Sequence, residues 1–112
     1  MVDATRTARI RQLNDALRTG QSMDGIIVVT SGVQSHGADF LERTMASVRS
    51  FTDFSPDIDP YGEHDFGAVD VDGERLFFKV DYFDVAMTAH SSDPADPTVT
   101  KRVLTIMLAS EY

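Results

Sequence analysis

The apolar positions of this chain fall into two periods, and the change from one to the other divides it. Near the start, Ile10, Leu13 and Leu17 recur at spacings of three and four, which lines one face of a helix over residues 3–18. Asp3 or Thr5 is placed to cap its start and Gly20 stands at the C′ position. The arginines of this segment, Arg6, Arg9, Arg11 and Arg18, fall off the apolar stripe and read as a solvated face. A second helical period covers about residues 38–51, with Leu41, Met45 and Val48 as its stripe and Phe40, Thr44 and Phe51 alongside.

Between these helices lies Ile26-Ile27-Val28-Val29-Thr30, a β-branched run apolar on both sides, which predicts a strand covered on both faces or centrally placed. Further on the period becomes two. Ala68-Val69-Asp70-Val71, then Asp72-Gly73, then residues 74–84 predict a hairpin, because a two-residue type I′ turn needs positive φ at both central positions. Its register sets Val71 opposite Glu74, Asp70 opposite Arg75, Val69 opposite Leu76 and Ala68 opposite Phe77. Leu76, Phe78, Val80 and Tyr82 share a buried face, while Phe77, Lys79, Asp81 and Phe83 share a mixed one. Residues 101–111 fit a buried helix through Val103, Ile106 and Met107 with Leu104 and Leu108, and a strand as the alternative; length and the Met-Leu-Ala ending favour the helix. The resulting fold class is α+β: a two-layer domain with about three helices packed on a small, mainly antiparallel sheet with a central hairpin.

At 112 residues, 42% hydrophobic and 25% charged, the chain reads as one globular domain over residues 1–112, able to bury a core without staples. No cysteine is present, which removes disulfides, thiolate metal sites and a cysteine nucleophile. The arginine-bearing start is unlike a signal peptide and no apolar run is long enough to span a membrane, so a cytoplasmic protein with no membrane partner is expected. The net charge of −8 is concentrated: residues 53–96 hold twelve acidic residues against Arg75 and Lys79, a local balance of −10. That argues against direct contact with a nucleic-acid backbone and is compatible with a protein partner bearing a basic surface.

The densest chemistry is in Asp57-Ile58-Asp59-Pro60-Tyr61-Gly62-Glu63-His64-Asp65-Phe66-Gly67. Pro60 removes a donor and restricts Asp59, and Gly62 and Gly67 permit positive φ, so the stretch is a shaped loop. A second shaped loop, His90-Ser91-Ser92-Asp93-Pro94-Ala95-Asp96-Pro97, carries two Asp-Pro steps. A binding reading uses Asp57, Asp59, Tyr61, Glu63, Asp93 and Asp96 and needs no cofactor. The catalytic alternative uses His64 with Glu63 and Asp65 in acid–base work, with Mg²⁺ or Mn²⁺ as the only cofactor it would call for. Asp57-x-Asp59-x-x-Gly62 begins like a calcium loop, but Tyr61 and Ala68 stand where ligands are required. Gly32-Val33-Gln34-Ser35-His36-Gly37 lacks the lysine and spacing of a phosphate loop, and the adjacent pairs Ser35-His36 and His90-Ser91 make no triad.

Residues 51–67, Lys79-Val80-Asp81-Tyr82-Phe83-Asp84, Ser92-Asp93-Pro94-Ala95-Asp96-Pro97 and Arg102-Val103-Leu104-Thr105-Ile106-Met107-Leu108-Ala109-Ser110-Glu111-Tyr112 resemble the signature blocks of a proteobacterial family of small proteins of unknown function. The resemblance extends to Leu13-Asn14-Asp15 and Thr30-Ser31-Gly32-Val33; Phe78 stands where that family has tryptophan. It assigns no activity, substrate or catalytic residue. It implies a setting on plasmids and other mobile elements, where small acidic proteins counter host restriction or CRISPR systems. The expectation is therefore an accessory protein acting by binding, an inhibitor of a host defence system, with a small metal-dependent hydrolase or phosphate-processing enzyme as the alternative.

Overall fold

A computed structural model describes residues 4–112. In chain order it comprises α1 (Ala4–Arg18), β1 (Ile26–Val29), α2 (Ser31–Gln34), α3 (Ala38–Ser50), β2 (Phe66–Val71), β3 (Glu74–Phe83), β4 (Lys101–Leu108) and a closing 3-10 turn, Ala109–Glu111. The strands form one mixed sheet in the order β1-β4-β3-β2, with β1 parallel to β4 and the other neighbours antiparallel. The expected α+β class is what the chain adopts.

The hairpin forms in the register its Asp72-Gly73 turn dictates, Val71 opposite Glu74 through Ala68 opposite Phe77, with φ of 53° at Asp72 and 83° at Gly73. Period-two alternation then divides the sheet into two faces. Leu76, Phe78, Val80 and Tyr82 join Leu104 and Ile106 on one of them. There they meet Ile10 and Leu17 of α1, Val33 of α2, and Phe40 and Val48 of α3 in a single core. The opposite face carries Phe77, Lys79, Asp81 and Phe83, all half-buried, and Tyr112 packs edge-on against Phe66 and Phe77 there.

Five expectations need correction, the last of them on α1. Residues 101–108 form a strand, not a helix: β4 lies between β1 and β3, so its residues are covered from both sides and its apolar positions run nearly unbroken. Conversely, β1 is an edge strand, and Ile26, Ile27 and Val28 remain 37%, 39% and 41% exposed. The buried stripe of α3 is Phe40, Thr44 and Val48, with Leu41 and Met45 at its margin, a rotation of one residue from the stripe that hydrophobicity alone suggests. Gly67 lies in β2, and its small size matters there because Phe78 occupies the space a Cβ would take.

On α1 the arginine expected in water is inside. Arg18 is buried, and its Nη1 donates to the carbonyls of Val48 at 2.8 Å, Arg49 at 3.3 Å and Phe51 at 3.0 Å. These are carbonyls that the end of α3 leaves without intrahelical partners, so α1 caps α3 with a side chain. Arg18 Nη2 also pairs with Asp15 at 3.0 Å, and the guanidinium lies over the Phe54 ring. Gly20 closes α1 at φ 82° as expected; Thr5 lies inside the first turn, and Asp3, the other candidate cap, lies outside the described residues.

Candidate functional site

The two shaped loops meet. Residues 57–65 and 90–94 flank α1 and the end of β3 around an open cleft of about 530 Å³, whose walls include Arg6, Tyr61, Glu63, Asp65, Tyr82 and His90. The first loop holds its shape through Asp59, whose buried carboxylate accepts the backbone N–H groups of Glu63 at 3.1 Å and His64 at 3.2 Å. Arg11 Nη1 donates to the carbonyl of Gly62 at 2.9 Å and fixes the loop to α1. The second loop is pinned by Ser91, whose hydroxyl meets that of Thr100 at 2.7 Å, and by Asp93, which accepts the N–H of Ala95 at 3.1 Å. Arg6 joins the loops' outer rim by pairing with Asp93 at 3.1 Å.

A buried polar chain forms the floor. Asn14 Nδ2 donates to the Tyr82 hydroxyl at 2.7 Å and to the Glu63 carbonyl at 3.0 Å, and Asn14 Oδ1 accepts from Arg102 Nε at 2.9 Å. Arg102 also donates to the Pro94 carbonyl and stacks over the Tyr82 ring. Burial lowers the proton affinity of its guanidinium. The Tyr82 hydroxyl in turn donates to Glu63 Oε1 at 2.9 Å; burial first, and the neighbouring Glu63, push its pKa far up, so it stays a donor. Asn14 thus ties α1, β3, β4 and the first loop together, and Arg102 carries the network on to the second.

The catalytic alternative requires His64 beside Glu63 and Asp65, but the loop divides them. Glu63 and Asp65 line the cleft, while the His64 ring, at φ 57°, stacks on Phe54 and places Nδ1 3.0 Å from Asp15. Among the described residues no three His, Asp or Glu side chains converge as metal ligands. Asp65 is the unbalanced member of the cleft. Burial, then Glu63, raises its carboxyl above the usual carboxylate range, and its own backbone N–H offsets this only in part.

The binding set is likewise divided. Tyr61, 73% exposed, and Asp57 reach solvent; Glu63 faces the cleft; Asp93 and Asp96 act partly as turn caps, Asp96 accepting from Thr98 N–H and Oγ1. Asp59 faces into its own loop and is removed from any partner's reach.

The phosphate-loop-like turn after β1 has an internal anion. Glu111 accepts from the Thr30 hydroxyl at 2.7 Å and the Leu108 N–H at 2.8 Å, and a Cβ on Gly32 would fall 2.6 Å from its carboxylate. The Thr30 hydroxyl, then the backbone donors, hold the Glu111 carboxyl below its ordinary range.

Sequence reasoning missed Asn14, Arg18, Tyr82's hydroxyl and Arg102. The available signal was Asn14 on the apolar stripe, four residues from Ile10, where a buried amide demands partners. No helix among the described residues is long and apolar enough to cross a membrane.

Neither a curated protein nor a solved structure matches the chain. Residues 29–111 match the family model described as Protein of unknown function (DUF3768), which takes in both loops and strands β2, β3 and β4 but only the last residue of β1, and leaves α1 outside. The chain belongs to the DUF3768 family.

Proposed function

We propose that the protein acts by binding, accepting a positively charged side chain of a protein partner into the cleft between its two acidic loops. The observation that carries this reading is the Glu63–Asp65 pair: two carboxylates share one cleft wall, and Asp65 has no side-chain donor among the described residues to balance its burial. A desolvated carboxylate of this kind gains when a cation enters. A guanidinium suits it best, because its planar fork can meet both carboxylates while the exposed Tyr61 ring offers a π face at the mouth. The −10 balance of residues 53–96 supports the same reading, since it steers a basic surface toward this side of the molecule. The partner class implied by the mobile-element resemblance is a host defence protein whose basic surface ordinarily meets nucleic acid, and inhibition by occupying that surface is the role that follows.

A rival reading, hydrolytic or phosphate-processing turnover, draws on the same pair: a carboxyl with raised pKa beside an ionised one divides acid from base. His64 does not line that cleft; its ring stacks on Phe54 and its Nδ1 meets Asp15.

The test of the binding reading is calorimetric titration of the full chain with an arginine-rich peptide, followed by capture of partners from the native host. Peptide binding should weaken at high salt and fall at least tenfold in Glu63→Gln/Asp65→Asn, and the same variant should lose the captured partner. Equal binding by wild type and variant would remove the cleft from the interface.

A further inference from the structure

The cleft does not end at Asp65. A second hollow of about 350 Å³ adjoins it, and Tyr61 and Asp65 are walls of both. These two residues form a ridge with one hollow on either side. Beyond the ridge the lining is Asp57, Ile58, Pro60, Phe66 and Tyr112. Ile58, Pro60 and Phe66 give this second hollow an apolar surface, and the exposed Asp57 gives it a carboxylate of its own. Tyr112 is 75% exposed, yet its ring is held edge-on by Phe66 and Phe77, with centroids 5.8 and 5.5 Å away. The second hollow therefore has a fixed aromatic wall facing the equally exposed Tyr61 ridge.

Charge selects what enters. No Lys or Arg among the described residues lines the second hollow, and Lys79, opposite Phe66 across the hairpin, is paired with Asp81 at 3.2 Å. The charges of Glu63, Asp59 and Asp81 that act on the Asp65 carboxylate are all of its own sign. An anion would be repelled from such a place, and a purely apolar side chain would desolvate two carboxylates without pairing them. A basic side chain suits every wall. Its stem lies along the apolar surface while its head meets a carboxylate and an aromatic ring.

We infer that the partner presents two basic side chains, two positions apart on an extended segment, seated one in each hollow astride Tyr61. The inference rests on the reading of the cleft above, which supplies the first of them, an arginine between Glu63 and Asp65. Asp57 and Tyr112 receive the second. Hollows that share Tyr61 and Asp65 as walls are about one side chain apart. Positions i and i+2 of an extended segment project to the same side about 7 Å from one another, whereas neighbours i and i+1 point to opposite sides. The protein thus discriminates basic partners by the spacing of their charges as well as by their number.

Calorimetric titration of the full chain with three blocked peptides tests this, each with an alanine background and carrying Arg-Ala-Arg, Arg-Arg-Ala or Arg-Ala-Ala. The first two have the same charge, so electrostatic steering favours them equally and their difference reports geometry. Arg-Ala-Arg should bind about tenfold more tightly than either of the others. In Asp57→Asn/Tyr112→Leu that advantage over Arg-Ala-Ala should vanish, and the comparison within one variant holds whatever the substitutions do to stability. Three results overturn the inference. If Arg-Ala-Ala binds through Glu63 and Asp65 but Arg-Ala-Arg is no tighter than Arg-Arg-Ala, the second seat is wrong and the cleft reading stands. If the advantage persists in Asp57→Asn/Tyr112→Leu, the second cation sits elsewhere. If no peptide binds, the cleft reading falls and this inference falls with it.

Discussion

His64 lies flat on Phe54, with ring centroids 3.8 Å apart and planes 4° from parallel, and its Nδ1 reaches Asp15 of α1. The imidazole therefore joins the acidic loop to the helix beneath it. His64→Ala is expected to lower stability by about 2 kcal/mol, from the lost hydrogen bond and aromatic contact. Melting of wild type and variant with and without Mn²⁺ checks the role: neither should gain from the ion. A metal-dependent rise in wild type that vanishes in His64→Ala would support the hydrolytic reading instead.

Gly67 is held small by Phe78. A Cβ there would stand 2.3 Å from the Phe78 ring, which is fully buried and also packs edge-on against Phe51. Gly67→Ala should cost about 1–3 kcal/mol through overpacking, and Phe78→Leu should recover part of that loss in the double variant. Gly73 is the contrasting case: nothing lies within 4 Å, but φ is 83°. Its alanine variant should cost about 1–2 kcal/mol from the left-handed backbone alone, with Gly73→Asn milder and no rescue at Phe78. Urea unfolding of these variants separates steric from conformational causes.

Arg18→Ala should destabilise by about 3 kcal/mol or more, since it leaves the carbonyls at the end of α3 unpaired in a buried place. Arg18→Lys should recover little, because an ammonium cannot reach Asp15 and three carbonyls with separate nitrogens. Loss of amide protection in the last turn of α3 locates the damage.

Asp65→Asn should raise the melting temperature at neutral pH. The Asp65 carboxyl has a folded pKa above its unfolded value because of burial and Glu63. Its ionised form thus opposes folding above that folded pKa, and the penalty disappears as pH falls through it toward the unfolded value. The advantage of the asparagine should shrink in the same direction. A cation bound in the cleft, as proposed, would offset that cost. Melting curves from neutral to acid pH decide this; a gap that widens on acidification would contradict it.

Local chemistry made much of the fold readable. Asp72-Gly73 dictates the hairpin and its pairings, and the periods at residues 4–18 and 38–50 give both long helices to within a residue or two. What a strand's own residues do not reveal is its place in the sheet. β1 and β4 are both apolar on two sides, and the more β-branched one lies at the edge while the one with methionine and leucine lies inside. Only neighbours distant in sequence decide that. The cleft was half legible: the two proline-shaped loops identify themselves, but the floor depends on Asn14, Tyr82 and Arg102 meeting from three elements. The side to which His64 turns is likewise set by Phe54 and Asp15, not by its neighbours in the loop.

β4 is synthesised after both strands that flank it. While the chain is growing on the ribosome, only the β2–β3 hairpin can pair fully; β1 has no strand to join, and the inner edge of β3 stands open. Completion of the sheet must wait for Lys101–Leu108 to emerge, and it then closes pairings on both sides of β4 at once. A ribosome that pauses before β4 has emerged would thus display two open strand edges, and chaperone demand would be concentrated in that interval.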